Sequence, residues 1–237
     1  MDFSSIFEPD TLRMFAQAIL VSLELTIISV VIGGLCAIPL AIMRVSRKRW
    51  LSLPVWLYTY IMRGTPMLIQ VYLIYYGLAQ LDIIQNNWDT VPLLKPFKDA
   101  FFCAVLAFTL NTCAYTTEMI AGAIRNTNHG EIEAARAMGM GNWQLMRRIV
   151  LPSALRRTLP AYSNEVIMML QGTSLASTVP ALTDITNVAD RIRSEQYLVF
   201  EPYLTAGAIY MALTFTLVWL FKLAERRWLS YLQPRKG

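Results

Sequence analysis

Three carboxylates stand inside long apolar runs of this chain: Glu24, Glu118 and Glu165. An ionisable side chain at membrane depth is costly, and one that persists there marks a binding or relay function by default. Glu118 lies seven residues before Arg125, about 10 Å along a helix; Glu165 lies eight residues after Arg157, about 12 Å. That spacing predicts similar depths on successive spans. Asn111, Glu118 and Arg125 recur every seven residues and share roughly one helical face. Such a cluster can receive the ammonium or guanidinium of a ligand, or a proton or sodium ion. It can also be a structural network in which each carboxylate is neutralised by Arg125, Tyr115 or Tyr162, since buried charges are usually paired. Glu24, in the first half of a long run, is expected at the membrane interface. Met168 and Met169 read as packing. The lone His129 reads as a solvated loop residue.

These groups need spans to hold them. The 237 residues are 55% hydrophobic and 16% charged, against about 25% charged in a typical soluble domain. Apolar runs near twenty residues long predict a single all-α, multispanning membrane domain over residues 1–237. Spans are expected at about 14–43, 66–81, 101–124, 160–180 and 202–220. A short helix over 53–62 should precede the second, with a break at Arg63-Gly64-Thr65-Pro66, because the residue before proline is driven out of the helical region. Residues 82–99 and 181–200 read as outer loops. In the second of these, Ile185, Val188, Ala189 and Ile192 recur at helical spacing opposite Asn187, Asp190 and Arg191, which predicts an amphipathic helix on the membrane surface.

The net charge of +5 reflects topology rather than nucleic-acid binding. Fifteen of the 21 Lys and Arg fall in the segments after the first, third and fifth spans, which places those segments in the cytoplasm and the N-terminus outside. Cys36, Cys103 and Cys113 lie in or beside apolar spans without metal-ligand spacing. Nothing in the sequence matches a phosphate-binding loop or a dinucleotide fingerprint.

The longest polar interruption is Glu131–Pro152, within a cytoplasmic loop over 128–158. Its first part is rich in helix formers, and Gly139 stands where a helix closes in a left-handed conformation. Asn142 is placed to cap a second short helix over 143–150, and Pro152 to end it. Ala134 and Ala135 are small enough to admit a close partner backbone.

Glu133-Ala134-Ala135, then Gly139, then Ile149, Leu151 and Pro152 match without a gap the EAA---G---------I-LP loop of ABC importer permeases. The segments RGTPMLIQ (63–70), N-x-x-A-Y-x-x-E (111–118), the Asn164-Glu165 pair and Thr173-Ser174-Leu175 resemble the permeases of polar amino-acid ABC importers, the M-type subunits of histidine and arginine/ornithine systems above all. The resemblance implies a type I importer permease with five helices in the bacterial inner membrane, N-terminus periplasmic and C-terminus cytoplasmic. It implies no catalytic residue, metal or cofactor in this chain, with ATP and magnesium on a partner ATPase. It further implies a second permease in a heterodimer, two ATP-binding subunits, a periplasmic binding protein and a basic amino acid as cargo. Contact with the ATPase falls on Glu133, Ala134, Ala135, Gly139, Ile149 and Pro152. The substrate path falls on Glu118, Glu165, Asn111, Thr65 and Asn164. Some family members carry a further acidic residue where this chain has Tyr162, so this chain's half of the cavity is expected to be the weaker substrate site. An ion-coupled secondary transporter would use the same glutamates but leave the loop unexplained. A membrane-embedded enzyme would need a nucleophile or metal set that the chain lacks.

Overall fold

The computed structural model describes residues 3, 6–180 and 182–228. The C-terminal cations Arg235 and Lys236, assigned to the cytoplasm from sequence, lie outside the described residues. Among these residues there is no strand.

The first helix, α1 (Pro9–Arg44), starts with Pro9 in its first turn and buries one stripe: Phe15, Ala18, Ser22, Leu25, Ser29, Gly33, Ala37 and Ala41. Its small residues let α1 approach α5 (Ala100–Arg125) closely. At Gly33 an added Cβ would lie 3.0 Å from the Thr109 carbonyl oxygen, so no larger residue fits without moving backbone. Glu24 is exposed, twenty residues before Arg44 and so about 30 Å along the helix from it, one bilayer core.

The expected break after residue 62 is present. Helix α2 (Arg49–Gly64) stops at an extended Thr65. The chain re-enters helix at α3 (Met67–Tyr72), which continues through a π turn (Leu73–Gly77) and a 3-10 turn (Leu78–Gln80). A short α4 (Asp82–Gln85) and a 3-10 turn (Lys95–Lys98) lie in the connection to α5. Beyond α5 come α6 (His129–Ala137) and α7 (Asn142–Leu145), then α8 (Leu151–Gly172), α9 (Ile185–Gln196) and α10 (Phe200–Trp228).

By length and composition α1, α5 and α10 are apolar enough to cross a membrane, and Met67–Gln80 forms a shorter apolar helix. Helix α10 presents Leu204, Met211, Phe215, Trp219 and Leu223 outward, the pattern of a lipid- or partner-facing helix.

Four sequence expectations are corrected. Pro152 does not end a helix. The chain passes from α7 through a π turn (Met146–Val150) directly into α8, with Pro152 in its first turn. A proline there lacks only a donor that a first turn leaves unpaired, and the wider π turn before it leaves room for the ring. Asn142 is the first residue of α7 rather than its cap; Gly141 holds the capping position. Helix α8 thus begins at Leu151 instead of Pro160, which sits inside it, and gives way at Thr173 to a 3-10 turn (Thr173–Thr178).

The fourth correction concerns α9. Its apolar face does not lie on the membrane surface. Ile185, Val188, Ala189 and Ile192 are buried, packed with Phe15 and Ala18 of α1 and Ala206 of α10. Burial against protein satisfies the same amphipathic pattern that a membrane surface would. Asp184 fixes the start of α9, accepting from the backbone N–H of Thr186 (3.0 Å) and Asn187 (3.1 Å) and from the Tyr210 hydroxyl (3.3 Å).

Candidate functional site

The break between α2 and α3 opens a cavity of about 380 Å3 against α5 and α8, lined by Arg63, Thr65, Met67, Asn111, Tyr115, Glu165 and Met168, among others. A buried glutamine builds it. The Gln70 side-chain amide donates to the carbonyls of Met62 (2.6 Å) and Thr65 (3.1 Å) and to the Thr65 hydroxyl (2.8 Å), holding backbone that the break leaves without helical partners. Its carbonyl accepts from the Asn111 amide at 2.9 Å. Asn111 and Gln70 thereby tie the break to the middle of α5. Gln70 was not singled out in the sequence reading; its signal was a lone polar residue in the apolar stretch after Pro66.

Glu165 is only 6% exposed and forms no ion pair among the described residues. Arg63 shares the cavity with it. The guanidinium of Arg63 lies over the Tyr115 ring, 5.4 Å from its centroid. The cavity thus holds a carboxylate and a cation that do not neutralise one another directly.

Glu118 is not part of this cavity. Its carboxylate accepts from Arg44 Nε at 2.6 Å and from the Thr59 hydroxyl at 2.8 Å, which joins the end of α1, the middle of α2 and α5. The partner is Arg44, not Arg125, Tyr115 or Tyr162, because α1 runs to Arg44 and delivers that cation beside α5. Asn164, on the outer side of α8, is exposed, and it does not line the cavity. Tyr162 turns to α1, donating to the Val30 carbonyl at 2.9 Å.

The loop between α5 and α8 forms a second candidate surface. Asn128 caps α6, accepting from Gly130 N–H at 2.9 Å. Gly139 takes φ +80°. Its N–H bonds the Arg136 carbonyl (2.9 Å) and that of Met140 bonds the Ala135 carbonyl (3.1 Å), the paired closure of a helix ending in left-handed glycine. Glu133 and Ala134 are exposed, as are Met138 and Trp143. Ala135 is not available to a partner as expected. It is buried with Leu145, Val150 and Ile124, and Ile149 packs against that cluster, so both hold the loop's own shape. Pro152 is half-buried at the start of α8.

Arg157 anchors the loop to the bundle. Its guanidinium donates to the carbonyls of Asn126 (3.1 Å) and Ala123 (3.1 Å) and to the Thr127 hydroxyl (3.0 Å). These bonds satisfy carbonyls at the end of α5 that have no helical partner.

Residues 29–230 match the family described as binding-protein-dependent transport system inner membrane component. Over 233 residues the chain is 47% identical to the histidine/lysine/arginine/ornithine transport system permease protein HisM of Salmonella typhimurium, covering 98% of this chain and 97% of that protein. It is 48% identical to HisM of Escherichia coli K12 over 214 residues (90% and 88% covered). Identity to the octopine transport system permease protein OccM of Rhizobium radiobacter is 45% over 226 residues (95% and 90% covered). Among solved structures, an amino acid ABC transporter with histidines superposes with TM-score 0.80 at 33% identity, covering 96% of this chain and 99% of that one. A chain of the MetNI methionine ABC transporter shares the fold at TM-score 0.76 and 18% identity, covering 93% of this chain and 99% of that one.

Proposed function

This chain belongs to the family of binding-protein-dependent transport system inner membrane components, and on that premise we propose that it is the permease subunit of an ABC importer for basic L-amino acids. It is a transporter subunit rather than an enzyme, and ATP is hydrolysed by a separate chain. A permease of this kind works with an ATPase, a further permease and a substrate-binding protein. The finer assembly we assign is a heterodimer with a sister permease, two ATP-binding subunits carrying ATP and magnesium, and a periplasmic binding protein. We assign the crossings to α1, α3 with its continuation to Gln80, α5, α8 and α10, with the N-terminus periplasmic and the α5–α8 loop cytoplasmic. Helix α6 then presents Glu133 and Ala134 to the ATPase, and Gly139 sets its tilt.

The observation that carries the substrate reading is Glu165: a buried carboxylate without an ion pair among the described residues, lining the cavity between the α2–α3 break, α5 and α8. In a region of low dielectric such a carboxylate favours a cationic partner and repels an anion. Its neighbours Asn111 and Thr65 supply neutral polar groups. The test is initial uptake into vesicles loaded with ATP, with the assembled complex and binding protein in excess. Glu165→Gln keeps the shape and removes the charge. Uptake of arginine, ornithine or histidine is expected to fall at least tenfold, roughly the worth of one charge-assisted hydrogen bond, while ATP hydrolysis persists. Parental uptake by Glu165→Gln would move charge selection to the sister permease or the binding protein.

A further inference from the structure

The corner between α1 and α2 carries four cations, Arg44, Arg47, Lys48 and Arg49, and no carboxylate lies between Glu24 and Asp82. Such a run ordinarily marks topology and a solvated surface. Here it also frames a cavity. A space of about 290 Å3 lies where the end of α1 meets the start of α2, lined by Arg44, Arg49, Ser52, Leu53 and Trp56. The Ser52 hydroxyl donates to the Arg44 carbonyl at 2.9 Å, which fixes the corner.

The charge of this corner is largely unneutralised from within. Arg47, Lys48 and Arg49 are exposed and form no ion pair among the described residues. Arg44 gives its Nε to Glu118, one of the five N–H donors of a guanidinium, and still lines the cavity. Guanidinium groups beside a small cavity suit a phosphate, because the planar fork gives an anionic oxygen pair two parallel hydrogen bonds.

The surface beyond the cavity says which phosphate. Leu53, Trp56 and Tyr60 recur at helical spacing along α2 and are 60%, 40% and 66% exposed, the two rings stacked with centroids 5.2 Å apart. A cationic end continued by an apolar, aromatic face matches a lipid, with the headgroup at the cations and an acyl chain along the helix. Depth agrees. Arg44 stands about one bilayer core from Glu24 along α1, which puts the cavity at headgroup level, where Trp and Tyr rings collect. With the topology assigned above this is the cytoplasmic leaflet, whose anionic lipids attract basic segments beside spans.

We propose that this cavity is a site for an anionic phospholipid, its phosphate held by Arg44 and Arg49 and an acyl chain laid along Leu53, Trp56 and Tyr60. Because Arg44 also holds Glu118, the lipid braces the corner that joins α1, α2 and α5. The site depends on the chain crossing a membrane and is independent of the cargo.

The test is photolabelling of the whole complex in phosphatidylcholine nanodiscs carrying a trace of photoreactive phosphatidylglycerol or, in parallel, of photoreactive phosphatidylcholine. Adducts are mapped by mass spectrometry. Labelling of residues 49–60 by the phosphatidylglycerol probe should exceed that by the phosphatidylcholine probe by about fivefold or more, the worth of one cation beside an anionic headgroup. Arg49→Gln, which leaves the Arg44–Glu118 pair in place, should remove most of this excess, and Arg49→Lys should keep part of it. Unlabelled phosphatidylglycerol should displace the probe, and inorganic phosphate at constant ionic strength should not. Equal labelling by the two probes overturns the site and leaves ordinary lipid contact along α2. An unchanged excess in Arg49→Gln overturns it too, and displacement by inorganic phosphate makes it a free-anion site. Labelling of residues 49–60 only after the ATPase is stripped away assigns the surface to that subunit instead, and no labelling in either state also overturns the proposal. If Arg49→Gln does not assemble, the ratio of the two probes and the phosphate competition decide.

Discussion

Arg44 Nε donates to Glu118 Oε1 at 2.6 Å, with both side chains less than a fifth exposed. This bond joins residues 74 apart in sequence and locks the end of α1 to α5, with Thr59 of α2 as third member. It gives Glu118 an architectural role. Glu118→Gln should therefore destabilise the subunit by about 1–3 kcal/mol, as one charged partner is lost from a mostly buried pair. Thermal unfolding in detergent measures this. The ratio of arginine to histidine uptake, per assembled complex, should stay unchanged. A variant of parental stability with altered selectivity would return Glu118 to the substrate path.

Gly139, at φ +80°, has nothing of this chain within 4 Å of a built Cβ, so within the subunit a substitution there meets backbone strain and no clash. Gly139→Val should cost about 1–2 kcal/mol locally and tilt α6. Binding-protein-stimulated ATP hydrolysis and uptake should fall while protein level holds. Gly139→Asn, which tolerates the left-handed conformation, should retain most activity. Equal activity of the Val variant would refute the role of this closure.

Asp184, fully buried at the start of α9, is pushed up from 3.8 to about 6 by burial, against the N–H groups of Thr186 and Asn187 and the Tyr210 hydroxyl. A carboxyl raised in the folded state stays protonated there while the unfolded chain ionises. Stability is therefore greatest below about pH 4 and declines as pH rises toward 6, by up to roughly 3 kcal/mol, then levels off. Unfolding midpoints of the purified complex across pH 4–7.5 should show this slope superimposed on other titrations. Asp184→Asn, which still caps the helix, should remove it. An identical slope in the variant would show that Asp184 is charged throughout.

Topology is checked by labelling single cysteines in a background with Cys36 replaced, since Cys36 is exposed. An impermeant thiol reagent added outside should reach cysteines at Asn87 and Ser194 and miss one at Asn142. The reverse pattern would invert the orientation inferred from the basic residues.

Local rules carried much of this protein in its sequence. The apolar runs named a membrane protein, because only helices or closed barrels satisfy backbone groups in lipid. Thr65-Pro66 announced the break after α2, since the constraint on a residue before proline is local. Gly139 announced the closure of α6 for the same kind of reason. Tertiary structure decided which polar groups meet. Asn111 and Glu118 share a face of α5, yet two turns separate them; one joins Gln70 at the cavity and the other joins Arg44. Helical periodicity gives a direction but not the neighbour found there. The apolar stripe of α9 was legible, but its burial against α1 and α10 was not, because lipid and protein reward the same pattern. Pro152 was read as a stop because a lone proline breaks a regular helix, whereas in the packed α5–α8 loop a π turn carries the helix through.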